Sequence, residues 1–296
     1  MDNNKIIEKE KEFIDRISDK YNYDSNIRHL LYIIIPAFII KYGIEKEKLI
    51  LNTFENIRII SSSRQDSRVL AYYTSDPILL DNKYVTRKNM VIQNYNNISL
   101  INLLDNLVHE FNHAVNSYLN EIKETSKYLY IRTGLTNRIY RKEDLSFIKK
   151  EDSYILEEII NTKQTNDIIN IIKSFSNDNS TIYAINSETE NKYNSNSYYL
   201  QSYITKEIIE NKTFILTLEK LRLNGEVDEI EYWFDNIIGE NNSYKEFIKE
   251  LKEIHDLEIE YSKKKFFKRF IINKIKDKSR NISRMINKFN NSVNFK

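Results

Sequence analysis

His109 and His113 stand four residues apart with Glu110 directly after the first, and they are two of only four histidines in a chain of 296 residues. Positions i and i+4 of an α-helix lie one turn apart on one face, so both imidazoles can converge on a single tetrahedral metal ion. Glu110 then projects to the side, where it can act on a metal-bound water rather than on the metal. With so few histidines, about 0.005 accidental copies of this His-Glu-x-x-His arrangement are expected in a chain of this composition. The spacing is therefore read as chemistry.

The elements needed to position these groups are legible around them. Ser99 to Tyr118 contains neither Gly nor Pro, and Leu100, Leu104, Leu107, Val108, Phe111, Val115 and Tyr118 recur at helical spacing. Asn97 or Ser99 can cap the start. The other stripe, Asn102, Asp105, Asn106, His109, His113 and Asn116, is polar, which predicts a helix forming the floor of a cleft. Upstream, 89–94 reads as a short strand feeding the helix through a turn at Asn96-Asn97. An antiparallel strand at that place suits a peptide-binding edge.

Strand, turn and motif helix together resemble the core of the zincin metallopeptidases. The metzincin branch, HExxHxxGxxH, is excluded because Asn116 and Leu119 stand where its Gly and His belong. The gluzincin branch takes a glutamate from a later helix, and Glu157-Glu158-Ile159-Ile160-Asn161-Thr162 is similar to its (N/E)-E-x-x-(S/T)-(D/E) pattern. Asn161 and Thr162 depart from it. Paired glutamates at this place also occur in the clostridial neurotoxin light chains, which are gluzincins. The resemblance covers residues 55–175 and implies one Zn²⁺ held by His109, His113 and Glu158, with Glu157 the alternative third ligand. Glu121, Glu124, Glu143 and Asp152 are competing carboxylates. It further implies a zinc metalloendopeptidase in which Glu110 is the general base. Such a site needs an oxyanion donor, for which Tyr198, Tyr199, Tyr203 and Arg132 are candidates. Asp105, Asn112 and Asn116 are candidates for orienting the imidazoles.

Composition sets the frame. Hydrophobic residues make up 41% and aromatics 12%, enough for a real core, while 4 Gly and 2 Pro favour helix. With no Cys there is neither a disulfide framework nor a thiolate metal site. The expected fold is α+β and mostly helical: a small mixed or antiparallel sheet with the motif helix in an N-lobe (about 1–125), and a helical C-lobe (about 126–257). Helices are expected at 3–20, 25–42 and 46–56, strands near 57–62 and 68–74, and a hairpin over 127–140 turning at Thr133-Gly134. Gly134 is expected at positive φ and Gly43 as a helix C-cap. Helix resumes at 151–174, a polar loop covers 176–197, and helices follow at 198–210, 213–223, 226–238 and 243–257.

Residues 30–40 form an apolar run interrupted by Pro36, too short to span a bilayer and expected to be a buried helix kinked or broken there. His29 and His255 are expected at the surface. The N-terminus shows no apolar h-region, so a soluble cytoplasmic protein is expected. The tail, 258–296, differs from the body: between Lys263 and Lys288 eleven basic residues face one acid, Asp277, although the whole chain carries only +2. Interleaved Phe and Ile give it helical periodicity. It can dock as a last bundle helix, or meet an anionic surface, nucleic acid or acidic protein. The alternative reading of the chain is an inactive zincin-like interaction protein acting through that tail.

Overall fold

The structure, a computed structural model, describes residues 10–62, 71–93, 98–175, 181–182, 208–263 and 268–293. It is α+β and predominantly helical, with two small sheets. The chain divides into two compact units: the described residues of Met1–Tyr118 with Asn161–Ser197, and those of Leu119–Ile160 with Tyr198–Lys296.

The first unit opens with α1 (Lys11–Tyr21), α2 (Ser25–Tyr42), a short 3-10 turn (Ile44–Lys46) and α3 (Glu47–Glu55). Asp24 caps α2 by accepting from the Ile27 amide, and Gly43 ends it at φ +93°. Pro36 does not break α2, which runs through it unbroken. Ten residues from Ile27 to Ile39 are buried along this helix, and that burial outweighs the one backbone bond proline removes. Phe38, Phe54 and Phe111 form an aromatic centre for this core, with Phe54 stacked on Phe111 at 3.9 Å.

Three strands follow, β1 (Arg58–Ser62), β2 (Ala71–Leu80) and β3 (Lys83–Gln93), in the order β1-β3-β2. β1 runs parallel to β3, and β2 and β3 form a long antiparallel hairpin from Ala71↔Ile92 to Leu80↔Lys83. Its two-residue turn, Asp81-Asn82, has both residues at positive φ, as the type I′ geometry of tight hairpins requires. The strand leading into the motif helix is therefore the central one, flanked by β1 and β2 where it approaches that helix. Among the described residues β1 and β2 are the edge strands, and β2 accommodates Pro77, a residue unable to donate to a ladder.

The motif helix, α4 (Leu100–Val115), is capped by the Ser99 side chain accepting from the Asn102 amide. It packs against β2 and is buried on every side from Leu103 to Ser117, polar stripe included. The stripe expected to form the floor of a cleft is buried from Asp105 to Asn116.

The second unit holds a four-stranded antiparallel meander, β4 (Ile122–Glu124), β5 (Tyr128–Thr133), β6 (Thr136–Arg141) and β7 (Phe147–Lys150), paired in sequence order. The β5–β6 pair is the hairpin expected at 127–140, with Gly134 at φ +58°. The long helix α5 (Tyr154–Lys173) begins in this unit, and from Asn161 onward it belongs to the first. Among its described residues the second unit also contains α6 (Lys212–Asn224), α7 (Glu229–Ile238), α8 (Ser243–Lys263) and α9 (Lys268–Val293). Phe214, Phe234, Phe247 and Phe289 interlock at its centre. The tail helix α9 sinks Ile271, Ile275, Ile282, Ile286 and Phe289 into this core, so it is a bundle helix of the unit. The helix expected at 198–210 falls outside the described residues except for 208–210, as does all of 176–197 except 181–182. Among the described residues no single helix is long and apolar enough to cross a membrane.

Candidate metal centre

One helical turn separates His109 from His113, and their Nε2 atoms lie 3.2 Å apart with the rings nearly perpendicular at 80°. Two Zn–N bonds of about 2.0–2.1 Å in a tetrahedron place their nitrogens about 3.3 Å apart, so the pair is spaced as a shared cation would hold it. Both side chains are buried.

Glu158 joins them. Ligand atoms of His109, His113 and Glu158 all lie within 4.8 Å of one another, and this buried group can hold a metal ion. Two imidazoles and one carboxylate form a mixed N/O donor set suited to a divalent metal, and three donors leave a fourth position open.

The position of Glu158 follows from the helix that carries it. One turn later on α5, Asn161 donates from Nδ2 to the His109 backbone carbonyl at 3.0 Å. In return, its Oδ1 accepts from Asn112 Nδ2 at 2.8 Å. Gln164 Oε1 also accepts from Asn112, at 3.2 Å, and from the Tyr42 hydroxyl. Asn116 donates to the Tyr42 oxygen and to the Asn112 carbonyl. This clamp of Tyr42, Asn112, Asn116, Asn161 and Gln164 locks two helices in register through hydrogen bonds between buried side chains. Asn112 and Asn116, candidates for orienting the imidazoles, both hydrogen-bond within the clamp. Asp105 is buried one turn before His109.

Glu157 has a different task. Its carboxylate accepts from Arg222 Nε at 2.8 Å and from Arg222 Nη2, and from the Leu135 amide at 2.7 Å. Both members of this ion pair are 0% exposed. Gly134 makes room for it, because a Cβ there would sit about 2.0 Å from Glu157 Oε2. Lys150 approaches Glu158 Oε1 at 3.8 Å and stacks over the Tyr154 ring. A cation there competes with a metal for the carboxylate.

Glu110 Oε2 accepts from the Tyr73 backbone amide at 2.7 Å. The edge strand β2 thus anchors one oxygen of the carboxylate next to the histidines. The Arg132 guanidinium donates to the carbonyls of Leu119, Gly134 and Arg222. Tyr198, Tyr199 and Tyr203 lie outside the described residues. His29 is exposed, whereas His255 is half-buried edge-on to Tyr154, and that burial pushes its pKa down. Among the described residues this is the sole metal-competent group of His, Asp and Glu.

Comparison with known proteins adds no relative: no family model, no curated protein and no solved structure matches the chain.

Proposed function

We propose that the chain is a zinc-dependent metalloendopeptidase of the gluzincin kind. The reading is carried by one observation: His109 and His113 Nε2 atoms 3.2 Å apart, with a carboxylate from a later helix within 4.8 Å. His109, His113 and Glu158 would hold the ion. When bound, zinc supplies Lewis acidity toward a water and a scissile carbonyl.

Glu110 takes the proton of the attacking water and returns it to the departing amine. Its orientation is fixed by the Tyr73 amide, so no side-chain rotamer has to be found during the reaction. Burial of Glu110 and both histidines strengthens every charge interaction among them. The edge strand β2 supports the endopeptidase assignment, because an extended substrate can add to a sheet edge through backbone hydrogen bonds.

The test is metal analysis of purified protein beside a peptide-library cleavage assay, with and without chelator. About one zinc per chain is expected, with cleavage abolished by chelation. The Glu110→Gln variant should retain zinc and lose hydrolysis, since the base goes while the ligands stay. Protein that purifies without metal, or a Gln variant that cleaves as well as the parent, overturns the assignment.

The second reading keeps the same metal as a structural staple and puts function on the basic surface of α9. It is favoured by the cations left exposed on that helix. Under it, Glu110→Gln is silent in every assay.

A further inference from the structure

The cations of α9 fall into two sets. On its flanks Lys278 is held by Glu250 and Glu253, and Lys288 by Glu240. Along its outward face Arg269, Lys276, Arg280 and Arg284 are exposed, interspersed with exposed Asn273, Asn287 and Asn291. Arg280 meets Asp277, and that pair is 70% exposed on both sides. Arg269, Lys276 and Arg284 form no ion pair among the described residues. At 1.5 Å rise per residue, Lys276, Arg280 and Arg284 follow one another at about 6 Å, and Arg269 to Arg284 spans about 22 Å. Arg269 lies two turns before Lys276, so the four align as one stripe.

We propose that this stripe binds the phosphate backbone of nucleic acid without sequence preference. A strand of duplex presents one phosphate per about 3.4 Å of axis, so the stripe can face about six of them. Arginine's planar fork matches phosphate oxygens in pairs, and asparagine amides donate to the same oxygens. An inserting membrane helix is disfavoured, because its apolar side must be available to lipid. In α9 that side is core, and among the described residues Phe270 is the only large exposed apolar side chain on the helix. The surface does not depend on the hydrolytic reading, since its residues are remote in sequence from the metal ligands and exposed.

The test uses the full chain with its zinc content recorded. Two fluorescein-labelled 20-base-pair duplexes of unrelated sequence are titrated between 50 and 300 mM salt, and phosphatidylserine vesicles are sedimented in parallel. Affinity of about 10⁻⁶–10⁻⁴ M at physiological salt is expected, equal for both duplexes, with a log–log salt slope of about −3 to −4. The R269Q/K276Q/R280Q/R284Q variant, altered only at exposed positions, should keep its helical circular dichroism and zinc while losing affinity at least tenfold. No duplex binding at 50 mM salt overturns the proposal. So does undiminished binding by the variant. Vesicle binding that is tighter than duplex binding and lost in the variant also overturns it, in favour of anionic lipid.

Discussion

Asn161 donates its side-chain amide to the backbone carbonyl of His109 at 3.0 Å, tying the helix of one proposed ligand to the helix of another. Its other amide atom accepts from Asn112, so a single buried side chain registers α5 against α4. The amide's two ends have opposite roles, and Asp can supply only one of them. Asn161→Asp should lower zinc affinity about 10–100-fold, the range found when groups supporting metal ligands are removed. It also sets an acceptor against the His109 carbonyl, a loss of about 1–3 kcal/mol in stability. Competition with a chromophoric zinc chelator, beside thermal denaturation of the metal-free protein, separates the two effects. Affinity equal to the parent's would show that Asn161 does not position the site.

The paired glutamates should fail differently. Glu158→Gln removes a proposed ligand beside two histidines, so zinc is expected to be lost while the fold survives. Glu157→Gln strands Arg222, which is 0% exposed, without its counter-charge. Breaking a buried pair from one side costs about 3–5 kcal/mol. Metal stoichiometry and melting temperature read the two outcomes: low zinc with near-parent melting for Glu158→Gln, and a melting drop on the order of 10 °C for Glu157→Gln. The reverse pattern would exchange their roles.

Gly134→Ala tests the same corner from the backbone. The residue sits at φ +58°, and a Cβ there meets the Glu157 carboxylate at about 2.0 Å. Left-handed backbone costs a non-glycine residue about 1–2 kcal/mol, and the clash adds displacement of a buried carboxylate. Destabilisation above about 2 kcal/mol in urea is expected, with zinc binding retained in the folded fraction. A neutral substitution would mean that the hairpin turn relaxes freely.

How far the sequence could be read depended on how local each signal was. His109, Glu110 and His113 are legible because a rare residue repeats at one turn's spacing inside a capped apolar pattern. Glu158 was legible only through a resemblance, and its separation from Glu157 required Arg222, which lies 65 residues away from that glutamate and has no local mark. The β2–β3 hairpin was under-read because Asp81-Asn82 adopts positive φ without glycine, and because Leu79 and Leu80 near its tip are both exposed, blurring the alternation. Periodicity reports which residues share a face, not what covers it. The polar stripe of α4 therefore reads as the floor of a cleft, and nothing in it announces that Asn116 is 0% exposed. For the same reason periodicity marks neither Asn161 nor Gln164 as a buried amide, although both are 0% exposed.

Metal removal offers a further check on the site. A ligand that binds only the native state stabilises by RT ln(1 + [L]/Kd), about 4 kcal/mol at a thousandfold excess over Kd. Chelation should lower the melting temperature by on the order of 10 °C, and re-addition of zinc should restore it. Glu158→Gln and His113→Ala should melt at the same temperature with and without chelator. A parent protein insensitive to chelator would leave the three side chains as a purely structural cluster.

Glu258 on α8 supplies a pH test independent of the metal. Burial pushes its carboxyl up from 4.5 to about 7. A raised acid pKa means the folded state holds the proton more tightly than the unfolded chain. The penalty is therefore absent below pH 4.5, grows as pH rises toward 7, and is complete above it. Partial exposure screens the effect, so about 1 kcal/mol is expected rather than the full shift. Glu258→Gln should raise the melting temperature by about 2–4 °C at pH 8 and leave it unchanged at pH 4. Melting curves of parent and variant across that range decide it. A stabilisation that is constant with pH would trace to packing of the amide, and one that grows on acidification would reverse the sign of the shift.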